Sequence, residues 1–380
     1  MAGVLRGVAA RLEPRRLGVL AGALTVAVID LVVVVTASED GPASAVAAEA
    51  AGPAVEARSR AQTTTTAPPT TTTVPSTTTT APATTTTAAP PTTAAPTTTA
   101  APTPKSGRSA GVGAWSLEPY RGLGAWVDVY DWTVEKTNGA PTVSLDQIDA
   151  MAAAGVQTLY LQTGHRTSGA DIMEHQRQLD LINRAKAHGM YVVGWYLPML
   201  EDVDTDLHRL VAAATRLPLD GLGVDIESRE VADVAERNRR LLDLSGRLRA
   251  ALGPDKVISA ITPSAVHVQE VNPAFWPDFP WAQLTASYDV FQPMAYWSVR
   301  RPEWRDGERY IAENIDRIRA ATGRPDLPVH PVGGIADGVS VPEVEGMLRA
   351  SAARGAVGLS LYDWRTSNPA QWAALAPIRR

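Results

Sequence analysis

Asp220-Gly221-Leu222-Gly223-Val224-Asp225-Ile226-Glu227 is an apolar run that ends in two carboxylates two residues apart. Side chains alternate across a strand, so Asp225 and Glu227 share one face, with Cα atoms roughly 6–7 Å apart. The apolar residues before them read as a strand covered on both faces, the pattern of a parallel sheet. Unpaired charge is costly to bury, so two acids on one inward face imply a use for them. In a barrel of parallel strands, active sites form at the C-terminal strand ends. The fold therefore turns on whether the rest of the chain supplies such a barrel.

Seven further runs have the same character. They are 126–130, 158–162, 191–195, 257–262, 289–296, 329–334 and 357–363, and with 221–227 they make eight strands. Their spacing is roughly 30–40 residues, the length of a strand, loop and helix. Gly155, Gly189, Gly253, Gly323 and Gly355 each follow a helical pattern and precede a strand, where a left-handed residue ends a helix. Ser144 with Gln147, and Ser340 with Glu343, fit capping boxes at helix starts. A doubly wound open sheet is the alternative, but no glycine-rich phosphate loop follows the first strand. The sequence predicts an α/β fold, a (β/α)8 TIM barrel over residues 111–380.

The preceding residues have a different composition. Residues 1–16 form a basic flank with Arg6, Arg11, Arg15 and Arg16, and 17–36 are apolar except for Asp30. About 20 such residues can cross a bilayer, and the basic flank predicts a cytoplasmic N-terminus. Ala43-Ser44-Ala45 offers a small-residue cleavage site, so a cleaved signal sequence is the alternative to an uncleaved anchor. Residues 37–110 read as a disordered linker whose 62–104 portion is a Thr/Pro/Ala stalk, with too little apolar bulk to fold. The expectation is a single-pass cell-membrane protein with an extracellular barrel, or a secreted one if the leader is cut. The chain has no cysteine, so the exported domain must hold together by its core alone. A net charge of −5, with no basic tract beyond the flank, argues against nucleic acid as a partner.

Polar and aromatic residues near the strand ends converge in a barrel. The candidates are Asp128 and Asp131 on the first strand, Gln162 and His165 on the second, and Trp195 on the third. The fourth adds Asp225 and Glu227, the sixth Gln292, Met294 and Tyr296, and the eighth Tyr362, Asp363 and Trp364. Carboxylates with aromatics suit glycosidic bond cleavage, which needs an acid for the leaving oxygen and a second group for an oxocarbenium-like transition state. His165 has no second ligand at metal-binding spacing, so neither a metal nor another cofactor is expected. Ser264 and Ser360 lack a nucleophile-elbow pattern, which excludes a serine hydrolase. All ten tryptophans lie from Trp115 onward, and Trp276, Trp281 and Trp304 fall in long loops as sugar platforms or loop anchors.

The 220–227 run resembles the fourth-strand DxxDxDxE signature of family 18 glycoside hydrolases, the chitinase-like barrels. Met294-Ala295-Tyr296 is similar to that family's sixth-strand Met-x-Tyr, and Trp364 to its eighth-strand tryptophan. Trp126-Val127-Asp128-Val129-Tyr130 and Asp225-Ile226-Glu227 also resemble the first- and fourth-strand motifs of family 25 lysozymes. The family 18 resemblance implies substrate-assisted hydrolysis of N-acetylated sugars. Glu227 would then be the general acid, Asp225 and Tyr296 would hold the acetamido group, and Trp364 would lie under the ring. Asp128, Gln162, Trp195, Gln292 and Met294 would complete the substrate site. The expected partners are polysaccharide or peptidoglycan glycan strands, with a silent glycan-binding scaffold as the alternative. Gly223 stands where the signature has its middle aspartate, Trp297 where the sixth-strand motif ends in aspartate, and the third strand has no serine-glycine-glycine run.

Overall fold

A computed structural model of the chain describes residues 115–379. The expected flank, anchor and linker lie outside the described residues, and no helix among those described is long and apolar enough to cross a membrane. Eight parallel strands close into a barrel in sequence order. They are β1 (Gly122–Val127), β2 (Thr158–Gln162), β3 (Tyr191–Tyr196), β4 (Gly221–Asp225), β5 (Ile258–Pro263), β6 (Val290–Ala295), β7 (Val332–Gly334) and β8 (Gly358–Tyr362). The helices, in chain order, are α1 (Val129–Trp132), α2 (Leu145–Ala153), α3 (His175–Ala187), α4 (Val203–Arg216), α5 (Val234–Leu252), α6 (Trp281–Leu284), α7 (Gly307–Thr322), α8 (Val341–Ala353) and α9 (Pro369–Leu375).

The near-continuous apolar runs become strands because the barrel interior covers one face and the helices the other. Six of the eight strands are buried along their whole length. All five glycines expected to end helices have positive φ, from 59° to 82°. The box at Ser340 and Glu343 forms, whereas Ser144 caps without a side-chain bond. Gln147 instead accepts the indole N–H of Trp364 at 2.9 Å.

Large rings fill the interior where neighbouring strands carry small residues. The Trp126 and Tyr160 rings stack at 4.3 Å, 9° from parallel. A Cβ on Gly124 would fall 2.4 Å from the Tyr160 ring, so the stack depends on a glycine there. At the β1–β8 seam, a Cβ on Gly358 would come within 2.6 Å of the Gly122 and Tyr120 carbonyls and of the His330 ring. A polar relay crosses the same seam. Trp126 Nε1 donates to Ser360 Oγ at 2.7 Å, Ser360 Oγ lies 3.0 Å from His330 Nε2, and His330 Nδ1 lies 2.8 Å from the Tyr120 carbonyl. A carbonyl can only accept, so Nδ1 carries the proton and Nε2 of the neutral ring accepts from Ser360. Burial holds the His330 pKa down at about 4, which keeps the ring neutral. Ser360 is therefore a structural residue. So is Ser264, whose hydroxyl bonds Tyr310 and Asn314.

Tyr120 plugs the N-terminal end of the barrel. Its buried hydroxyl lies 3.1 Å from the carbonyls of Leu222 and Val257 and accepts the Leu222 N–H at 3.1 Å. Tyr120→Phe leaves buried backbone groups of β4 without this partner. It should lower unfolding free energy by about 2 kcal/mol in urea titrations; a loss within the scatter of such measurements would mean that the hydroxyl does not bridge the strands.

Candidate active site

Closure brings the C-terminal strand ends around a single cavity of about 930 Å³, its open mouth included. Asp225 is the last residue of β4, and Ile226 N–H continues the pairing by donating to the Ile261 carbonyl at 2.7 Å. The alternation therefore holds for one step past the strand, and Asp225 and Glu227 both line the cavity, 7% and 9% exposed. Asp128 enters from the end of β1, where it caps α1 by accepting the Tyr130 N–H at 2.8 Å. The Tyr362 hydroxyl donates to its other oxygen at 2.9 Å. Asp363, just past the end of β8, lines the cavity too, so carboxylates from three strand ends face one hollow.

Aromatic rings form the walls. Trp126 and Trp195 meet edge to face at 5.8 Å, and Tyr362 lies 5.7 Å from Tyr296 and 6.4 Å from Trp126. Trp195 fits because its register partner on β4 is Gly223, and a Cβ on that glycine would already sit 2.9 Å from Ile261 Cδ1 and 3.1 Å from Ser259 Oγ. No aspartate fits there without displacing these neighbours. Asp220, the first acid of the motif, lies at the other end of β4, paired with Lys186 at 2.8 Å and accepting the Val192 N–H at 2.9 Å.

Of the substrate-site residues expected from sequence, Asp128, Gln162, Trp195, Met294 and Tyr296 line the cavity. Gln162 also holds the loop after β1 by accepting the Val129 N–H at 3.0 Å. Two expectations need correction. Gln292 is fully buried beside Tyr160 inside the barrel and does not reach the cavity wall. Its side chain shares the face of Met294 and Tyr296 but sits one layer deeper. Trp364 lies outside the cavity, turned toward α2 by its bond to Gln147 and packed 5.1 Å from Trp372. Trp126 and Tyr362 are among the rings that do line the cavity. Trp297 is wholly buried and crowds against Gly307 and Gly333, so it anchors the β6 loop. Trp276 and Trp281 are buried loop anchors, and the Arg309 guanidinium lies over the Trp304 ring at 4.3 Å.

Arg365 was missed because it lies past the β8 strand end, where alternation gives no guide. It completes a charge cluster. Oxygens of Asp128, Asp131 and Asp363 lie within 4.8 Å of one another, a spacing that could serve a metal. Arg365 is the cation at this cluster, 2.5 Å from Asp131 and 3.9 Å from Asp363. Burial, reinforced by Asp128 and Asp363, pushes the Asp131 carboxyl well up, with Arg365 opposing. Burial also raises Asp363, opposed by Arg365 and by bonds from Thr366. Past the end of the neighbouring β2, His165 Nε2 lies 3.2 Å from the Tyr130 hydroxyl; burial first, then Lys136 and Arg166, lower its pKa to about 4. It is a neutral hydrogen-bonding group across the neutral pH range.

No protein-family profile and no curated protein matches the chain. Solved structures do. A GH18 chitinase from Pseudoalteromonas aurantia is similar over 68% of this chain and 99% of its own, at 14% identity and TM-score 0.51. The endo-beta-1,4-mannanase from Thermotoga petrophila covers 68% and 77%, at 11% identity and TM-score 0.50. The spore cortex-lytic enzyme SleL of Bacillus megaterium QM B1551 covers 68% and 74%, at 10% identity and TM-score 0.50. At these identities the likeness is one of fold alone: a (β/α)8 barrel.

Arg365→Gln removes the cation from three clustered carboxylates and should destabilise the barrel by about 3 kcal/mol at pH 8. The raised folded pKa values of Asp131 and Asp363 set the sign. A carboxyl with a raised folded pKa favours the fold below its ordinary value of 3.8, and this advantage is lost as pH rises through the folded pKa. The deficit relative to wild type should therefore shrink as pH falls from 8 toward 5, since protonation relieves the cluster. His165 and His330 are common to both proteins and cancel in this difference. Calorimetric melting of both proteins at the two pH values checks it, and a deficit that grows in acid would contradict the charge assignment.

Proposed function

We propose that the barrel is a glycoside hydrolase acting on cell-wall or extracellular polysaccharide that contains N-acetylated sugars, with Glu227 as general acid. The observation that carries this reading is the meeting of Asp225, Glu227 and Asp128 in one aromatic-walled cavity at the C-terminal strand ends. The shared fold is compatible with it, and so is the likeness of the 220–227 run to the chitinase-like signature.

In the proposed reaction Glu227 gives its proton to the glycosidic oxygen as the bond to the anomeric carbon breaks. The acetamido oxygen of the same sugar attacks that carbon from the opposite side. Asp225, two residues away on the same face, accepts the acetamido N–H and balances the charge that develops on the ring so formed. Tyr296, which lines the cavity, would bond the acetamido oxygen through its hydroxyl. Water then opens the intermediate, with Glu227 taking up the proton it lost. The indoles of Trp126 and Trp195 supply flat apolar faces for the sugar.

Asp128 favours a second mechanism on the same site. The space of the signature's middle aspartate is filled by Ile261 and Ser259, so no carboxylate at 223 supports Asp225. Asp128 and Asp363 are the further acids of the cavity, and Asp128 as a directly acting second carboxylate is the alternative to acetamido participation. We further infer that residues 17–36 hold the barrel outside the membrane by way of the stalk. The support is the composition of 1–110, and protease accessibility of the barrel on intact cells tests it.

Glu227→Gln should lower kcat for reducing-sugar release from peptidoglycan or chitin oligomers at least about 100-fold while leaving glycan binding measurable. Asp225→Asn should match that loss if the acetamido route holds; Asp128→Asn should match it if the second carboxylate acts directly. Wild-type protein that binds glycan yet releases nothing would sink the enzyme reading and leave a glycan-binding scaffold.

A further inference from the structure

A second hollow, a groove of about 1260 Å³ between α2 and α9, lies alongside the first. One short segment separates them. In the loop from β8 to α9, Asp363 and Thr366 face the cavity, Trp364, Ser367 and Asn368 face the groove, and Arg365 borders both. The two hollows therefore share a border at Arg365.

The groove surface is built to stay in place. Trp364 is half-buried, its N–H fixed on Gln147 and its ring 5.1 Å from Trp372, 37° from parallel. Trp372 is buried beneath it, with its own N–H donating to Ser367 Oγ at 2.8 Å. Both indole donors are thus used within the protein, and what Trp364 offers outward is ring surface. Beside it, the carboxamides of Gln147 and Asn368 keep their N–H groups for other partners: Gln147 accepts from Trp364, and Asn368 accepts two backbone N–H groups at the start of α9. A fixed aromatic face rimmed by amide donors matches a sugar ring, which has an apolar C–H face and a hydroxyl edge.

We infer that this groove is a distal subsite for the same glycan strand, so that the enzyme selects polymer over short oligomers. The inference rests on the proposed glycosidase reading and extends its substrate from a sugar type to a chain length. The strand would leave the cavity over Arg365 and lay a ring on Trp364.

The experiment uses the full chain and N-acetylglucosamine oligomers. Trp364→Ala should lower the ratio of kcat/KM on the longest soluble oligomer to that on the shortest one cleaved by about tenfold, the contribution of one stacking contact with its hydrogen bonds. Ala153→Trp, which fills the groove from an exposed position of α2 without altering Trp364, should lower the same ratio. Calorimetric titration of both variants in a Glu227→Gln background reads the groove without turnover: affinity for the long oligomer should drop while that for the short one holds. This arm distinguishes the two readings, since a glycan-binding scaffold without activity would still show the length dependence. Equal loss on long and short oligomers, or no loss in either variant, overturns the subsite. So does a wild-type dimer that Trp364→Ala converts to monomer in sedimentation, which would assign the groove to a second copy. A gain in long-oligomer affinity on deleting residues 62–104 would assign it to the stalk and overturn the proposal equally.

Discussion

Closure of β1 onto β8 is the constraint from which the rest follows. Pairing of Gly122 through Ala125 with Gly358 through Leu361 joins the ends of the sheet. It also brings the loop after the first strand against the loop after the last, a sequence separation of more than two hundred residues. Asp128 and Asp131 then meet Tyr362, Asp363 and Arg365, and a buried cluster of three acids and one guanidinium forms at the cavity edge. A closed ring has no free sheet edge, so the polar ends of its strands have only the cavity to face. Small residues at the seam make closure possible. Gly358 admits no Cβ, and Gly124 leaves room for the Tyr160 ring that stacks on Trp126.

The barrel and the β4 acids were legible in the sequence for the same reason: two-fold alternation along a strand is local and survives into the tertiary structure. Alternation gives the face but not the depth. Gln292, Met294 and Tyr296 share a face, yet only the latter two reach the cavity, because β6 is six residues long and its earlier inward positions fill the barrel. Trp364 shows the other limit. Past the end of β8 the chain turns, Asp363 accepts the Thr366 N–H, and the Ser367 N–H returns to the Asp363 carbonyl. That turn points Trp364 outward. Arg365 and the Trp126 wall depend on contacts between the first and last strands, which no short stretch of sequence contains.

The departures from the chitinase-like signature have a steric account. The space beside residue 223 is taken by Ile261, Ser259 and Trp195, so the third strand's tryptophan and the missing aspartate are two sides of one packing choice. With Gly223 in place, Trp195 brings a large ring to the cavity wall that Asp225 and Glu227 also line. At the sixth strand, Trp297 buries its ring against Gly307 and Gly333 and leaves Tyr296 as the last cavity residue of that strand. At both positions where the signature has an aspartate, the space here is taken by packed side chains.

That packing bears on how the remaining acids can work. A cavity with several carboxylates in contact cannot keep them all ionised, because burial and mutual repulsion both favour protonation. At the β1–β8 side the protein meets this with Arg365 and with a hydroxyl donated by Tyr362 to Asp128, so Asp128 is held as an acceptor at a fixed position. On the β4 side Asp225 and Glu227 share the cavity lining with Trp195, Ile261, Met294 and Tyr296. The two walls thus differ: the β1–β8 side holds its acids with a guanidinium and a phenol, and the β4 side sets its pair of acids among rings and aliphatic side chains.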